Sequence, residues 1–271
     1  MPPVRWQSAR HVARHGQLRS TDDYLAPATA NGTYSGGYLS HMFDSDNNLR
    51  VDSSVKFKSV NYGGFSMSAL YGFSNQAGAT NKSEARSVGA RYKNGPVSVG
   101  AAYEQFNIPD ANTDGAVSST ADALFVAGRQ RIFGVGGTYA IGPLKVGLEW
   151  TRMVIDGVTS GPIVANYLRR DNYEINARYD IKPALFLAGG YTFTDGRQTT
   201  GSATTDPKWH QVNLMLYDAL SKRTDVFLLG AFQKAAGDAT FAYIYGNGST
   251  SIQSPGSAKQ AVARIGIRHK F

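Results

Sequence analysis

The sequence predicts an all-β fold, a transmembrane antiparallel β-barrel, on three observations. The first is the closing stretch Gln260–Phe271. There Ala261, Ala263, Ile265, Ile267, His269 and Phe271 alternate with Val262, Arg264, Gly266, Arg268 and Lys270. Period-two alternation puts the two sets on opposite faces of one strand. A membrane strand needs that division, because one face meets lipid and the other a wet lumen. The second is hydropathy: the mean is −0.30 and no run of about 18 apolar residues exists, so no helical span is encoded. A closed barrel is the other structure that satisfies every backbone group in lipid. The third is a repeated unit of strand, tight turn, strand and long polar loop from residue 50 onward.

The elements follow in order. Arg50–Ser59 alternates, turns at residues 61–64, and pairs with a strand carrying Phe65, Met67, Ala69, Tyr71 and Phe73 on one face. The uncharged span Ser59–Asn81 is long enough for a membrane helix, but Gly63, Gly64 and Gly72 divide it into strands and a turn. The second hairpin joins Arg86–Lys93 to Val97–Phe106 through Asn94-Gly95-Pro96. The third joins Ile132–Ala140 to Leu144–Met153 through Ile141-Gly142-Pro143. The fourth joins Asp171–Asp180 to Ala184–Thr194 through Ile181-Lys182-Pro183. The fifth joins His210–Tyr217 to Asp225–Lys234, and a closing strand starts near Lys259. Gly and Pro at the short turns suit tight hairpins. The count is eleven strands.

Eleven is odd, and an unclosed sheet leaves two edges unpaired in lipid. Residues 1–17 show no alternation. With residues 18–20 they carry Arg5, Arg10, Arg14 and Arg19 but no acid, and they lack the apolar stretch of a secretory signal. The sequence-level division is therefore a non-native or unstructured start over 1–17, a loop-like segment over 18–49 and barrel strands over 50–271. About five strands are expected to be missing beside the first hairpin, leaving Arg50–Ser59 or its neighbour as an edge.

Parity assigns Lys56, Lys58, Arg91, Lys93, Lys145, Arg178, Arg264, Arg268 and Lys270 to the lumen, with Asp52, Glu104, Glu149 and Glu174. Nine cations against four acids imply a modest anion preference. Aromatic residues near strand ends (Phe57, Phe73, Tyr92, Tyr103, Phe106, Trp150, Tyr173, Tyr179, Phe193, Tyr217) are expected to form interfacial girdles. Asp225–Lys234 is apolar on both faces, so parity assigns it neither way.

Three segments resemble the general porins of β-proteobacteria. These are Leu220-Ser-Lys-Arg-Thr224 within the turn Tyr217–Asp225, the terminus Gly266-Ile-Arg-His-Lys-Phe271, and Val55–Phe65 with Leu70-Tyr-Gly-Phe73. Thr21–Pro27 and Gly36–Asp46 are similar to the inward-folded constriction loop of that family. The resemblance spans about residues 18–271. It implies a sixteen-stranded, homotrimeric outer-membrane channel, of which strands six to sixteen are present. It implies passive diffusion of ions and small hydrophilic solutes, with a basic wall facing loop acids, here Asp22, Asp23, Asp44 and Asp46. It also implies that the barrel assembly machinery reads the terminal aromatic Phe271. The partners so implied are outer-membrane lipid, further copies of the chain, that machinery and the permeating solutes.

Other function classes find little support. No cysteine is present, so there is neither a disulfide nor a Cys metal site, and the sequence names no cofactor or metal. The net charge of +8 comes from cations scattered singly along strands, unlike a nucleic-acid patch. The histidines sit apart, with no H-E-x-x-H, no G-x-S-x-G and no phosphate loop. Gly134-Val-Gly-Gly137 lies in a strand pattern without a following helix. Two alternatives stay open. One is the translocator or anchor domain of an adhesin, which also ends in an aromatic strand. The other is an outer-membrane lipase, for which Ser40–His41 is the only adjacent Ser–His pair.

Overall fold

Alternation becomes pairing in a computed structural model that describes residues 5–9 as backbone, 51–78, 80–108, 115–117, 127–159, 164–242, 244 and 256–270. The strands are β1 (Arg5–Ala9), β2 (Ser54–Lys58), β3 (Phe65–Gly72), β4 (Glu84–Asn94), β5 (Val97–Asn107), β6 (Arg129–Ile141), β7 (Leu144–Val158), β8 (Ala165–Asp180), β9 (Leu185–Thr200), β10 (Ala203–Thr205), β11 (Pro207–Asp218), β12 (Thr224–Gly237) and β13 (Lys259–His269). They form one antiparallel sheet in chain order, with β10 paired to β9 beside β11. Among the described residues there is no helix.

β10 and β11 are one strand in two pieces. Thr205 pairs with Gln198 and Lys208 with Asp195, so the register is unchanged across the break. The ladder lapses at Asp206–Pro207, where the proline brings no N–H. From Ser54 onward this restores the eleven strands that the sequence predicts.

The expected unstructured start needs a correction. Arg5–Ala9 lies antiparallel to β2, from Arg5↔Lys58 to Ala9↔Ser54. The free edge of β2 offers backbone donors and acceptors to any extended neighbour. β1 and β13 each have one neighbour among the described residues, so the sheet is open there. The edge falls on the neighbour of the first predicted strand.

Short turns gather at one end. Asn94 pairs with Val97 around Gly95-Pro96, and Ile141 with Leu144 around Gly142-Pro143. Gly95 and Gly142 have φ of 53° and 56°, a left-handed conformation that a Cβ disfavours and that matches the strand twist in a two-residue hairpin. The opposite end carries the long connections. Strands run further towards that end than the pattern predicts: β8 begins at Ala165 and β9 ends at Thr200, against Asp171 and Thr194. Their outward positions there include Arg169, Asp195, Arg197 and Thr199, so the apolar alternation stops while the hydrogen-bond ladder continues.

The two faces differ in exposure. Ile132, Met153, Leu168, Met215 and Leu229 are fully buried on the inner face; Val135, Leu148, Ile175, Leu214 and Ile265 are exposed on the outer one. Register decides the stretch that parity left open. Leu229, Ala231 and Gln233 point in, and Leu228, Phe232 and Lys234 point out. Two residues expected in the aromatic girdles also turn inward. Phe106 is buried against Val51, Leu70 and Ala85, and Tyr217 stacks on Phe186 with centroids 4.8 Å apart. Described residues of the long-loop-end connections pack on the inner face. Ala116 and Val117 join the Phe106 cluster, and Ile244 packs on Met215, Leu229 and Ala231.

Candidate pore-facing surface

The inner face is built from residues at alternate positions, so each strand contributes one column and cross-strand pairing sets the rows. Lys56, Leu70, Ser87, Glu104, Ile132, Met153 and Arg170 are successive register partners from β2 to β8. A second row runs from Arg91 through Gly100 and Gly136 to Glu149, Glu174, Thr192, Gln211 and Gln233. Lys145 faces Arg178, and Arg264 faces Leu229. Lys58, Lys93 and Arg268 share this face nearer the turns. All eight strand cations proposed from the sequence therefore lie on one face, together with Glu104, Glu149 and Glu174. Lys270 and Asp52 continue the same parity just outside the strands.

The polar groups are held in cross-strand networks. Asn176 donates to Glu174 Oε1 at 2.6 Å, and Thr192 donates to Glu174 Oε2 at 3.1 Å. Thr194 donates to Asn172 at 2.6 Å, which donates to Thr151 at 3.2 Å. Gln233 donates to Gln211 at 2.9 Å, and Gln211 to Asn213 at 3.1 Å. Buried amides and hydroxyls tied this way fix side-chain positions without closing the space between them. The cations are placed as firmly. Arg91 Nε donates to Ser98 at 3.0 Å. Arg178 reaches Asp180 at 2.7 Å and lies 3.8 Å from the centre of the Phe186 ring. Arg268 reaches Asp225 at 2.8 Å, and Arg264 lies 5.7 Å from the Phe227 ring centre.

Sequence reasoning missed three charges on this face. Arg170 is fully buried, with its guanidinium 5.0 Å from the Trp209 ring centre and Nη1 donating to the Arg169 carbonyl at 2.9 Å. Extending the Asn172 parity one step further would have found it. Asp180 and Asp225 point inward as partners of Arg178 and Arg268. Among the described side chains the balance of nine cations to four acids becomes ten to six. Asp22, Asp23, Asp44, Asp46 and Phe271, together with the Ser40–His41 pair, lie outside the described residues. β1 ends and β2 begins at the long-loop end, where Ala9 and Ser54 are register partners.

Comparison with known proteins gives this arrangement relatives. Residues 16–260 match the sequence profile described as Gram-negative porin. An outer membrane porin protein of Bordetella pertussis is 25% identical, over 83% of this chain and 59% of the relative. The chain thus spans less than two thirds of that curated relative's length. The anion-selective porin from Comamonas acidovorans superposes with a TM-score of 0.67 at 19% identity, covering 94% of this chain and 72% of that one. The trimer form of OmpT, an outer membrane protein of Vibrio cholerae, superposes at 0.63 with 17% identity, covering 98% and 76%.

Proposed function

The chain belongs to the Gram-negative porin family, and from that premise we propose that it forms the wall of a passive, non-catalytic diffusion channel for ions and small hydrophilic solutes. Its location is the bacterial outer membrane. The whole protein works as a homotrimer, with the inner face lining water and the outer face meeting lipid or a neighbouring copy. The observation that carries this reading is the excess of inner-face cations over carboxylates among the described side chains, ten against six, on a wall where Thr151, Asn172, Glu174, Asn176, Thr192 and Thr194 are tied together by hydrogen bonds.

Fixed charges along a water-filled gap bias which ions enter. The excess is small, and Asp22, Asp23, Asp44 and Asp46 on the constriction-loop segment oppose it. The anion preference is therefore modest and shrinks as salt screens it. Lys56, Arg91 and Arg264 set its sign from the wall. Reversal potential across a salt gradient in a planar bilayer tests this. Replacing Lys56, Arg91 and Arg264 together with glutamine should move selectivity towards cations without loss of folding, since lumen substitutions tune selectivity. A strongly cation-selective parent, or no shift in the triple variant, would overturn the reading. Assembly is tested by deleting Phe271, which should lower folded trimer while leaving expression intact; unchanged trimer removes that role.

A further inference from the structure

Aromatic side chains are scarce on the inner face and gather in one place. At the turn end, Asp180, Phe186, Tyr217, Phe227 and Gly266 are successive register partners from β8 to β13. Three rings on three adjacent strands therefore share one row. The other aromatic residues on the inner face of the described strands are Phe106 and Trp209, both buried near the long-loop end.

The three rings are not equivalent. Phe186 is closed off on both sides. Tyr217 stacks on it from β11 with centroids 4.8 Å apart, and the Arg178 guanidinium lies over it from β8 at 3.8 Å from the ring centre. Only 3% of Phe186 is exposed. Phe227 is partly exposed, and its ring leans over Gly266 on β13, where a Cβ would collide with it. Strands lie about 4.8 Å apart, and a ring that leans towards β13 widens its separation from Tyr217.

Guanidinium groups flank that ring. Arg264 and Arg268 are the residues either side of Gly266 on the same face of β13. Arg264 is exposed and stands 5.7 Å from the Phe227 ring centre, too far to cap it as Arg178 caps Phe186. Arg268 donates twice to Asp225, at 2.8 and 2.9 Å, and the Tyr217 hydroxyl lies within reach of that pair. Arg264, Arg268 and Asp225 together carry one net positive charge.

An open ring face beside one net positive charge matches a particular kind of solute. We propose that this site takes an aryl carboxylate at the turn-end mouth, its ring stacked on Phe227 beside Tyr217 and its carboxylate on Arg264. A guanidinium fork receives a carboxylate bidentately, and offset rings attract beyond the area they bury. A phosphate dianion leaves charge uncompensated there, and an aliphatic carboxylate leaves the ring without a flat partner. The inference rests on reading the inner face as a channel wall, and it adds to that reading a solute class that the wall holds back.

The test uses the whole protein in a planar bilayer, with the single-channel current followed as each probe is titrated in. The probes are benzoate, cyclohexanecarboxylate, acetate and benzyl alcohol. Cyclohexanecarboxylate keeps charge and bulk but is puckered; benzyl alcohol keeps the flat ring without the charge. Benzoate should reach half-block at a concentration about threefold or more below each of the others, the size that one ring–ring contact supplies. Phe227→Leu should remove that advantage and leave the half-blocking concentration of acetate in place. Arg264→Gln should weaken benzoate and acetate but not benzyl alcohol. Should Phe227→Leu fail to fold, the four probes on the parent decide alone. Benzoate blocking no better than cyclohexanecarboxylate or acetate would overturn the proposal, as would a Phe227→Leu channel that is blocked like the parent. A parent that conducts salt but is not blocked by benzoate loses this site and keeps the channel reading; a parent that conducts nothing loses both.

Discussion

Arg268 on β13 holds Asp225 on β12 through two donors, Nη2 at 2.8 Å and Nε at 2.9 Å, and the two residues are direct register partners. Asp225 is buried and Arg268 largely exposed, so the pair offers the channel a partly neutralised cation. Asp225→Asn should therefore raise anion preference, and Arg268→Gln should lower it. Asp225→Asn should cost about 1 kcal/mol, whereas Arg268→Gln, which leaves the buried Asp225 carboxylate without its ion pair, should cost about 1–3 kcal/mol. Reversal potentials with thermal unfolding check both; equal shifts of the same sign would contradict the pairing.

Arg170 separates packing from charge. Its Nε and Nη2 are buried without a hydrogen-bond partner among the described residues, while its stem and guanidinium lie against Trp209. Arg170→Ala should cost about 2–3 kcal/mol through lost packing and cation–π contact. Arg170→Met should cost about 1 kcal/mol or less, because it keeps volume and removes a desolvated charge. A midpoint of thermal unfolding lower for Met than for Ala would show that the charge matters more than the packing.

Ile244 is nearly fully buried on the inner wall against Met215 and Leu229, and its amide donates to Gln260 at 2.7 Å. It anchors this point of the chain to the inner wall. Ile244→Ala should loosen that anchor at a cost of about 2 kcal/mol and increase single-channel conductance. Unchanged conductance would mean that this point lies outside the current path.

Asp206 gives the β9–β10 tip a pH dependence. The hydrogen bond from Arg197 holds its carboxyl below the usual carboxylate value, with Lys208 and Arg169 adding attraction. A lowered folded-state value means that the contribution is present above the unfolded value of about 3.9 and lost as pH falls through the folded one. Amide-exchange protection of residues 197–206, corrected for intrinsic rate, should drop only in that acidic window. Asp206→Asn should show the reduced protection already at pH 7; if it matches the parent there, the pair does not stabilise the tip.

Much of the fold was legible because a membrane strand states its two faces locally. The Gly-Pro turns at Gly95 and Gly142 and the eleven strands after residue 50 needed no partner to be recognised. The same holds for the common face of Lys56, Arg91 and Arg264, since lipid on one side and water on the other enforce period-two contrast. The contrast vanished wherever that solvent boundary ends. Beyond Phe133, Tyr173 and Phe193 the outer face becomes charged while the inner face carries the apolar Ile132, Ile155 and Leu168 beside Arg170, so the continuation of β8 and β9, the inward Arg170 and the outward Arg131, Arg169 and Arg197 all escaped the pattern.

Other features depended on contacts that no local pattern contains. Leu228 and Leu229 are equally apolar, and only pairing with Leu216 and Met215 decides which of them faces in. Arg5–Ala9 is a strand because β2 has an edge to offer. Phe106 and Tyr217 point inward because connections and neighbouring strands give them apolar partners there. Composition and alternation determined the solvent each face requires; register, a property of two strands at once, decided which residues meet across the sheet and so where the charges stand.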